Sequence, residues 1–112
     1  MYQLIALFRQ PTDPQVFDHS YWETHAPLAK KIPGVISLDV SKTLPGKDGP
    51  AKYYQMSVLS FADKDAFKTA MRSAENAEAG ANLMTFAKDL VEFYTAEKVS
   101  SSPLPMNVEE KI

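Results

Sequence analysis

The fold is decided by the stretch FDHSYWETHAPLAKKIPG, residues 17–34, in which a helical pattern runs into a Pro-Gly stop. Asp13 followed by Pro14 marks the start of this helix, since aspartate caps a helix N-terminus and proline fits its first turn. The helix is predicted from about Pro14 towards Lys30, and Pro33-Gly34 ends it. Its predicted core face consists of residues at helical spacing: Phe17, Tyr21, Thr24 and Leu28.

Strand patterns lie on both sides of this helix. Tyr2 to Arg9 is rich in strand-forming residues, and Val35 to Thr43 alternates apolar Ile36, Leu38 and Val40 with polar residues, as a half-buried strand does. A turn-rich segment follows, after which Tyr53 to Phe61 resumes strand composition. The second and third strands therefore form a hairpin with a long connection. Leu90 to Ala96 is predicted to be the last strand.

A second helical region begins at Asp63 and continues through an alanine-rich run from Glu75 to Lys88, with a break near Ser73 to Asn76 where helix propensity falls. The order is therefore β-α-β-β-α-β. It predicts an α+β, ferredoxin-like fold with the helices on one face of an antiparallel sheet. We assign residues 1–98 to this domain and residues 99–112, which carry too little apolar pattern for a core element, to a C-terminal tail.

Two strands carry apolar residues on both faces. In the first strand, one face carries Tyr2, Leu4, Ala6 and Phe8, and the other face carries Ile5 and Leu7. In the third strand, one face carries Tyr54, Met56 and Val58, and the other face carries Tyr53, Leu59 and Phe61. A strand that is apolar on both faces is expected to be covered on both faces. The helices suffice for one face only, so a second copy of the chain is expected on the other, which favours a homodimer.

The composition excludes several classes of protein. The 112 residues include no cysteine, which rules out disulfides, thiolate metal sites and a thiol nucleophile, and fits a reducing compartment such as the cytoplasm. A net charge of -2 with scattered Lys and Arg offers no basic field for nucleic acid. The longest apolar run, Leu4 to Phe8, is far shorter than the ~20 residues of a membrane span. We expect a cytoplasmic, single-core protein without a nucleic-acid or membrane partner.

Both histidines and the only tryptophan lie in the 17–34 stretch. His19 falls opposite the core face and is predicted to be exposed, whereas His25 falls on the flank of the apolar stripe. Pro27 lacks an N–H and crowds the turn at Glu23, so the helix is expected to kink or restart around His25 and Ala26. A neutral imidazole held at such a point has two ring nitrogens for acid or base chemistry near pH 7.

Aromatic residues near His25 predict an apolar pocket. We expect His25 to be the catalytic acid or base, with Tyr21, Trp22 and a tyrosine of the third strand, Tyr54 or its neighbour Tyr53, lining or orienting a substrate. An alternative interpretation is that Tyr21 and Trp22 are core or dimer contacts. A single histidine beside an apolar stripe is also more often a packed or surface residue than a catalytic one.

No metal or cofactor site is predicted. His19 and His25 are six residues and about 120° apart on a helix, unlike the i, i+4 pairs that bind one metal. Asp18 and His25 are two turns, ~10 Å, apart. No glycine-rich phosphate loop, nucleophile elbow or dinucleotide fingerprint is present in the sequence. Four carboxylates have the pattern of ordinary solvated residues: Glu75, Glu78, Asp89 and Glu92.

The ordered set Phe17, Tyr21-Trp22, His25, Pro27-Leu28 and Pro33-Gly34, between two strands, resembles the EthD family of small dimeric α/β-barrel proteins. The resemblance spans about residues 2–97. It implies a homodimeric α/β barrel with a ligand cavity between the helices and the sheet of each protomer, and it implies a functional role for His25. The family context implies participation in bacterial degradation of ethyl tert-butyl ether beside a cytochrome P450 system.

Similar dimeric α/β-barrel proteins include cofactor-independent monooxygenases, lactone isomerases, polyketide cyclases and decarboxylases, and haem enzymes. Fold-level similarity does not choose among these reactions. A haem site is not expected, because His25 is the sole plausible axial ligand.

Two functional hypotheses follow. The first is a homodimeric enzyme that transforms a small apolar organic metabolite, in a catabolic or secondary pathway, by cofactor-independent acid/base or oxidative chemistry with His25. The second is a non-catalytic protein that binds a hydrophobic metabolite or supports an oxygenase system.

Overall fold

The structure, a computed structural model, describes residues 1–100 and Ser102. Its elements in chain order are β1 (Tyr2–Arg9), α1 (Pro14–Ser20), a π turn (Tyr21–His25), α2 (Ala26–Ala29), β2 (Val35–Lys42), β3 (Tyr53–Phe61), α3 (Lys64–Met71), α4 (Ala74–Ala87) and β4 (Val91–Glu97). The predicted order of elements is confirmed. Most of the predicted tail lies outside the described residues, so the division into residues 1–98 and 99–112 stays a prediction.

The four strands form one antiparallel sheet in the order β2-β3-β1-β4. This order, with two crossover helical segments on one face, is the predicted ferredoxin-like α+β fold. The central strands β1 and β3 are in register through Ala6 and Ser57, and Phe93 of β4 lies beside Ala6 on its other side. Among the described residues, no helix is long and apolar enough to cross a membrane.

The first helical segment contains the interruption that Pro27 predicts. The carboxylate of Asp13 accepts hydrogen bonds from the first backbone N–H groups, so α1 begins as expected. At the π turn the N–H of Ala26 donates to the carbonyl of Tyr21, five residues back instead of four. Pro27 has no N–H to donate, which removes one bond that would otherwise hold this turn in α geometry.

The π turn changes which residues face the sheet. Phe17 and Tyr21 are buried as predicted, but Thr24 is exposed. The extra residue in the turn rotates the following chain, so Ala26 and Ala29 are buried, positions that regular α-helical spacing from Phe17 does not select. The prediction of a regular core face through Thr24 was therefore wrong.

Two β-bulges also change predicted strand faces. Phe8 of β1 pairs with Gln55 and Arg9 pairs with Tyr53, so Tyr54 of β3 has no partner in β1. The side chain of Tyr54 therefore lies on the helix side of the sheet. It packs edge-on against Phe17, at 5.6 Å between ring centroids. The prediction that Tyr54 shares a face with Met56 was wrong for this reason. A second bulge at Ile36 leaves that side chain exposed, while Leu38 and Val40 pack on the core.

The predicted break in the second helical region is present. Helix α3 ends at Met71, and Ser73 caps α4 by accepting a hydrogen bond from the N–H of Asn76 at 3.0 Å. Ser73 also donates to the carbonyl of Ala70 at 2.6 Å. One serine thus ends α3 and starts α4, and it sets the direction in which α4 crosses the sheet.

Aromatic rings fill the core between the helices and the sheet. Phe8 of β1 contacts Phe17 and Tyr21 edge-on, at 5.2 and 5.9 Å between ring centroids. Phe61 and Phe67 form a similar pair at 5.6 Å near the other end of the sheet. Such pairs add about 0.5–1.5 kcal/mol each beyond their burial, so they fix the position of the helices on the sheet.

The opposite face of the sheet is not covered by any described element. Its centre consists of apolar side chains that are half-buried or exposed: Ile5, Leu7, Met56, Val58 and Tyr94. We call these five residues the open face.

Ser73→Ala tests the role of the helix break. Loss of the cap is expected to lower the free energy of unfolding by about 0.5–2 kcal/mol. Urea unfolding would measure this, with Ser100→Ala, an exposed serine after β4, as the matched control. Equal stability of the two variants would contradict the assigned capping role.

Candidate functional site

A cavity of about 60 Å³ lies between the helices and the sheet. Four polar side chains reach its wall: Tyr21, His25, Ser57 and Asn76. The rest of the lining is apolar or glycine: Leu4, Ala6, Phe8, Ala29, Ile32, Leu38, Leu59, Ala79, Gly80, Leu83 and Phe93. The volume corresponds to space for about four to six water molecules, which suits a small organic molecule.

Tyr21 and Ser57 form a hydrogen-bonded pair at one wall of the cavity. The phenol oxygen and the Ser57 Oγ are 2.6 Å apart, and both side chains are buried. Gln55, fully buried two residues earlier on β3, donates from Nε2 to Ser57 Oγ at 3.1 Å. The Oε1 of Gln55 has no partner among the described residues. The core of this small protein therefore contains a chain of three uncharged polar groups.

His25 lies at the end of the π turn, with its ring centroid 5.4 Å from that of Tyr21 and 6.3 Å from that of Phe86. Its Nδ1 and the Oδ1 of Asn82 are both buried and lack hydrogen-bond partners among residues 1–100. The Asn82 side chain and the Ala79 carbonyl lie beside the imidazole. Since both neighbours offer oxygen acceptors, a neutral ring keeps its proton on the nitrogen that faces them and its lone pair on the other nitrogen.

Burial keeps the polar groups of the cavity uncharged. It lowers the pKa of His25 below the ordinary value of 6.5, while Asn82 and the Ala79 carbonyl act in the opposite direction. Burial also raises the pKa of Tyr21 above 10.0, an effect that the hydrogen bond to Ser57 partly offsets. At neutral pH the site therefore contains a neutral imidazole and a neutral phenol, which are suited to proton transfer and hydrogen bonding.

The structure brings together two of the four predicted site residues. Tyr21 and His25 line the cavity, but Trp22 and Tyr54 do not. Trp22 is 46% exposed and packs edge-on against Tyr21 at 5.2 Å, so it contacts the site only through that ring. The Tyr54 hydroxyl donates to the carboxylate of Asp18 at 2.9 Å, outside the cavity. A substrate-binding role for Trp22 and Tyr54 stays a prediction.

Tyr54 belongs to a separate charged cluster at the edge of the sheet. Lys42 pairs with Asp18 and lies 3.7 Å above the ring of Tyr54. His19, in contrast, is exposed, as predicted. No group of three or more potential metal-ligating side chains is found among the described residues.

Glu92 is not the ordinary solvated residue that the sequence predicts. Its carboxylate accepts a hydrogen bond from Arg9 at 2.6 Å and from the hydroxyls of Tyr53 and Tyr94 at 3.2 Å. The Arg9 guanidinium and these hydroxyls lower the pKa of Glu92. The cluster lies beside the open face, at the β1–β4 edge of the sheet.

The sequence interpretation missed Ser57, Gln55 and Asn76. A signal was available for the first two, because they alternate with Met56 and Val58 and so share a face with Leu59 in the central strand. Polar residues at core-facing positions of a central strand indicate a buried polar site.

Gly80 of α4 is a further member of the cavity wall that the sequence did not reveal. A Cβ built on Gly80 meets no atom within 4 Å, so no neighbour requires glycine at this position. Glycine within a helix costs about 1 kcal/mol relative to alanine. Its position one turn from Asn76 and Leu83, which also line the cavity, indicates that the missing side chain keeps part of the cavity open.

The lowered pKa of His25 predicts a pH-dependent stability. An unfolded imidazole binds a proton as the pH falls through about 6.5, whereas the folded imidazole resists protonation until its own lower pKa is reached. The stabilisation is therefore complete above about pH 6.5 and decreases as the pH falls towards the folded pKa. We expect the free energy of unfolding to decrease between about pH 7 and about pH 5, as measured by urea unfolding.

His25→Gln is expected to flatten this pH profile, and His19→Gln, an exposed histidine on the same helical segment, is the matched control. If the pH dependence of the free energy of unfolding were unchanged in His25→Gln but flattened in His19→Gln, its assignment to His25 would be contradicted.

Residues 9–94 match the EthD domain. An uncharacterized 11.0 kDa protein of Rhodococcus erythropolis, from the thcB-thcC intergenic region, is 31% identical over 87 residues, which cover 78% of this chain and 84% of that protein. The crystal structure of an ethyl tert-butyl ether D (EthD) family protein from Bacillus halodurans is 37% identical with a TM-score of 0.84, and covers 88% of this chain and 99% of that one.

Two more distant structures share the fold. SnoaB of Streptomyces nogalater, a cofactor-independent oxygenase, has a TM-score of 0.60 at 19% identity, covering 92% of this chain and 97% of that one. A dimeric ferredoxin-like protein of unknown function from Thermobifida fusca has a TM-score of 0.62 at 18% identity, covering 85% and 88%. At these identities the likeness concerns the fold alone.

The domain match and the two closer relatives together show that this chain belongs to the EthD family.

Proposed function

We propose that this EthD-family protein is a cytoplasmic enzyme that binds a small, largely apolar organic molecule in the cavity and transforms it by proton transfer at His25. One observation carries the proposal: a half-buried imidazole with a lowered pKa forms part of the wall of a cavity without charged side chains. Perturbed titratable groups in cavities are typical of functional sites.

The chemistry of the wall suits acid/base catalysis. A neutral imidazole accepts a proton from a bound molecule and returns it at another atom, and the neutral phenol of Tyr21 donates a hydrogen bond to an oxygen that gains charge. The apolar remainder of the wall provides a low-dielectric surrounding once a ligand fills the cavity, which strengthens both interactions. We propose no metal or cofactor for this reaction.

The comparisons support a function related to small molecules. An oxidative reaction is one candidate, since SnoaB, which shares the fold, is described as a cofactor-independent oxygenase. Participation in ether degradation is suggested by the family name of the Bacillus halodurans relative. The alternative of a non-catalytic accessory protein for an oxygenase system predicts binding of a ligand without a product.

We also propose that the protein is a homodimer in which the open faces of two sheets pack together into a barrel. The open face is apolar at its centre and lies on the two central strands and β4. Related proteins of this fold are described as dimeric. Packing of the two open faces would remove this apolar surface from water, which is the main driving force of such association.

His25→Gln tests the catalytic proposal. The amide keeps hydrogen-bonding capacity but cannot transfer a proton near neutral pH, so turnover is expected to fall at least about 100-fold. Small lactones, phenols and ether metabolites would be supplied to the purified protein, and products would be measured by mass spectrometry, with His19→Gln as control. Full turnover in a folded His25→Gln variant would contradict the proposal. Saturable binding without any product in the wild type would favour the accessory role.

Val58→Lys tests the proposed dimer. Placing a charge at the centre of the open face should produce a folded monomer, because a buried, unpaired ammonium is strongly unfavourable. Light scattering after size-exclusion chromatography measures the mass. The control is Val16→Lys, since Val16 is 57% exposed on a helix and lies away from the sheet. A dimer that survives Val58→Lys but not Val16→Lys would contradict the arrangement.

A further inference from the structure

The cavity wall contains no charged side chain. Of its fifteen residues, the polar ones are a tyrosine, a histidine, a serine and an asparagine. Burial favours the neutral forms of both titratable members, Tyr21 and His25. A charged ligand would lose its hydration without gaining an opposite charge, so the wall favours a neutral ligand.

The Tyr21–Ser57 pair has one hydroxyl proton more than it uses. The pair carries two hydroxyl protons, and one of them forms the 2.6 Å hydrogen bond between the two oxygens. Ser57 Oγ accepts its other hydrogen bond from Gln55. If Tyr21 is the donor, the Ser57 proton is left over, and if Ser57 is the donor, the Tyr21 proton is left over. In either case no acceptor for the second proton is found among the described residues.

The orientation of Gln55 supports this count. Its Nε2 donates to Ser57, and its Oε1 is buried without a partner. In this orientation the amide offers Ser57 a donor and no acceptor, so it does not take up the spare hydroxyl proton. Gln55 thus keeps the spare hydroxyl proton available.

We propose that the Tyr21–Ser57 hydroxyl pair binds an acceptor oxygen of a neutral ligand: a carbonyl, ether or hydroxyl oxygen. This inference rests on the proposed function, since it assumes that the cavity binds a ligand. Both hydroxyl groups belong to residues of the cavity wall. The ring of His25 is 5.4 Å from that of Tyr21, so an oxygen held by the pair places the adjoining carbon atoms near the imidazole. Gln55 is a positioning residue that acts through Ser57.

Three compounds of nearly equal shape test the inference. Butan-2-one has one acceptor oxygen, 2-methylbut-1-ene has a methylene group in its place, and propanoate has a carboxylate oxygen in place of one methyl group. Each has five non-hydrogen atoms, which suits space for about four to six water molecules. Binding would be measured by NMR chemical-shift titration, followed at the Tyr21 and Ser57 signals, and by the fluorescence of Trp22, the only tryptophan.

Butan-2-one is expected to bind about 2- to 13-fold more tightly than the alkene, the ratio for one hydrogen bond of about 0.5–1.5 kcal/mol. Propanoate is expected to bind most weakly. Tyr21→Phe and Ser57→Ala should each bring the ketone/alkene ratio towards 1 without weakening alkene binding. Thermal unfolding shows whether each variant is folded. The ketone/alkene binding ratio of the wild type tests the inference even if one variant does not fold.

Gly80→Ala is the control for binding inside the cavity. The added methyl group occupies part of the cavity, so it should weaken ketone and alkene binding alike while raising helix stability. Equal binding of ketone and alkene to the wild type, with both weakened by Gly80→Ala, would overturn the oxygen site and leave the cavity's binding role intact. Tightest binding by propanoate would also overturn the inference. Absence of saturable binding by all three compounds would overturn both proposals.

Discussion

The π turn at Tyr21–His25 is the constraint on which the rest of the site depends. The bond from the Ala26 N–H to the Tyr21 carbonyl inserts one extra residue into the helical segment. Without that residue, regular α-helical spacing leaves His25 on the flank of the apolar face and turns Thr24 inward. With it, Tyr21 and His25 both reach the cavity while Ala26 and Ala29 allow α2 to pack closely. π turns of this kind occur frequently at functional sites.

The cavity is maintained at a cost in stability. Buried atoms of His25, Gln55 and Asn82 lack partners among the described residues, and Gly80 lies within a helix although no neighbour requires it. Replacing one of these three polar side chains by an apolar one, or Gly80 by alanine, is expected to raise the free energy of unfolding. His25 and Gly80 line the cavity, and Gln55 bonds to Ser57 of its wall, which is the pattern expected where function and stability conflict.

The sequence predicted the order of elements, the bounds of β1 and β3, the break before α4 and the placement of His25 at an interrupted helix. These features rest on local signals, such as the lack of an N–H in Pro27 and the capping serine. The sequence did not predict which side Tyr54 faces, because a bulge depends on pairing between distant strands. Ser57 and Gln55 were missed as well, although their alternation with Met56 and Val58 was a signal that they share one face of β3 with Leu59.

The central claim is that the fold holds an uncharged imidazole in an apolar cavity, ready for proton transfer. An NMR titration of the His25 ring signals in the intact wild-type protein tests this claim most directly. We expect a pKa for His25 below 6.5 and a neutral ring with a single protonated nitrogen at neutral pH. A His25 pKa at or above 6.5 would contradict it.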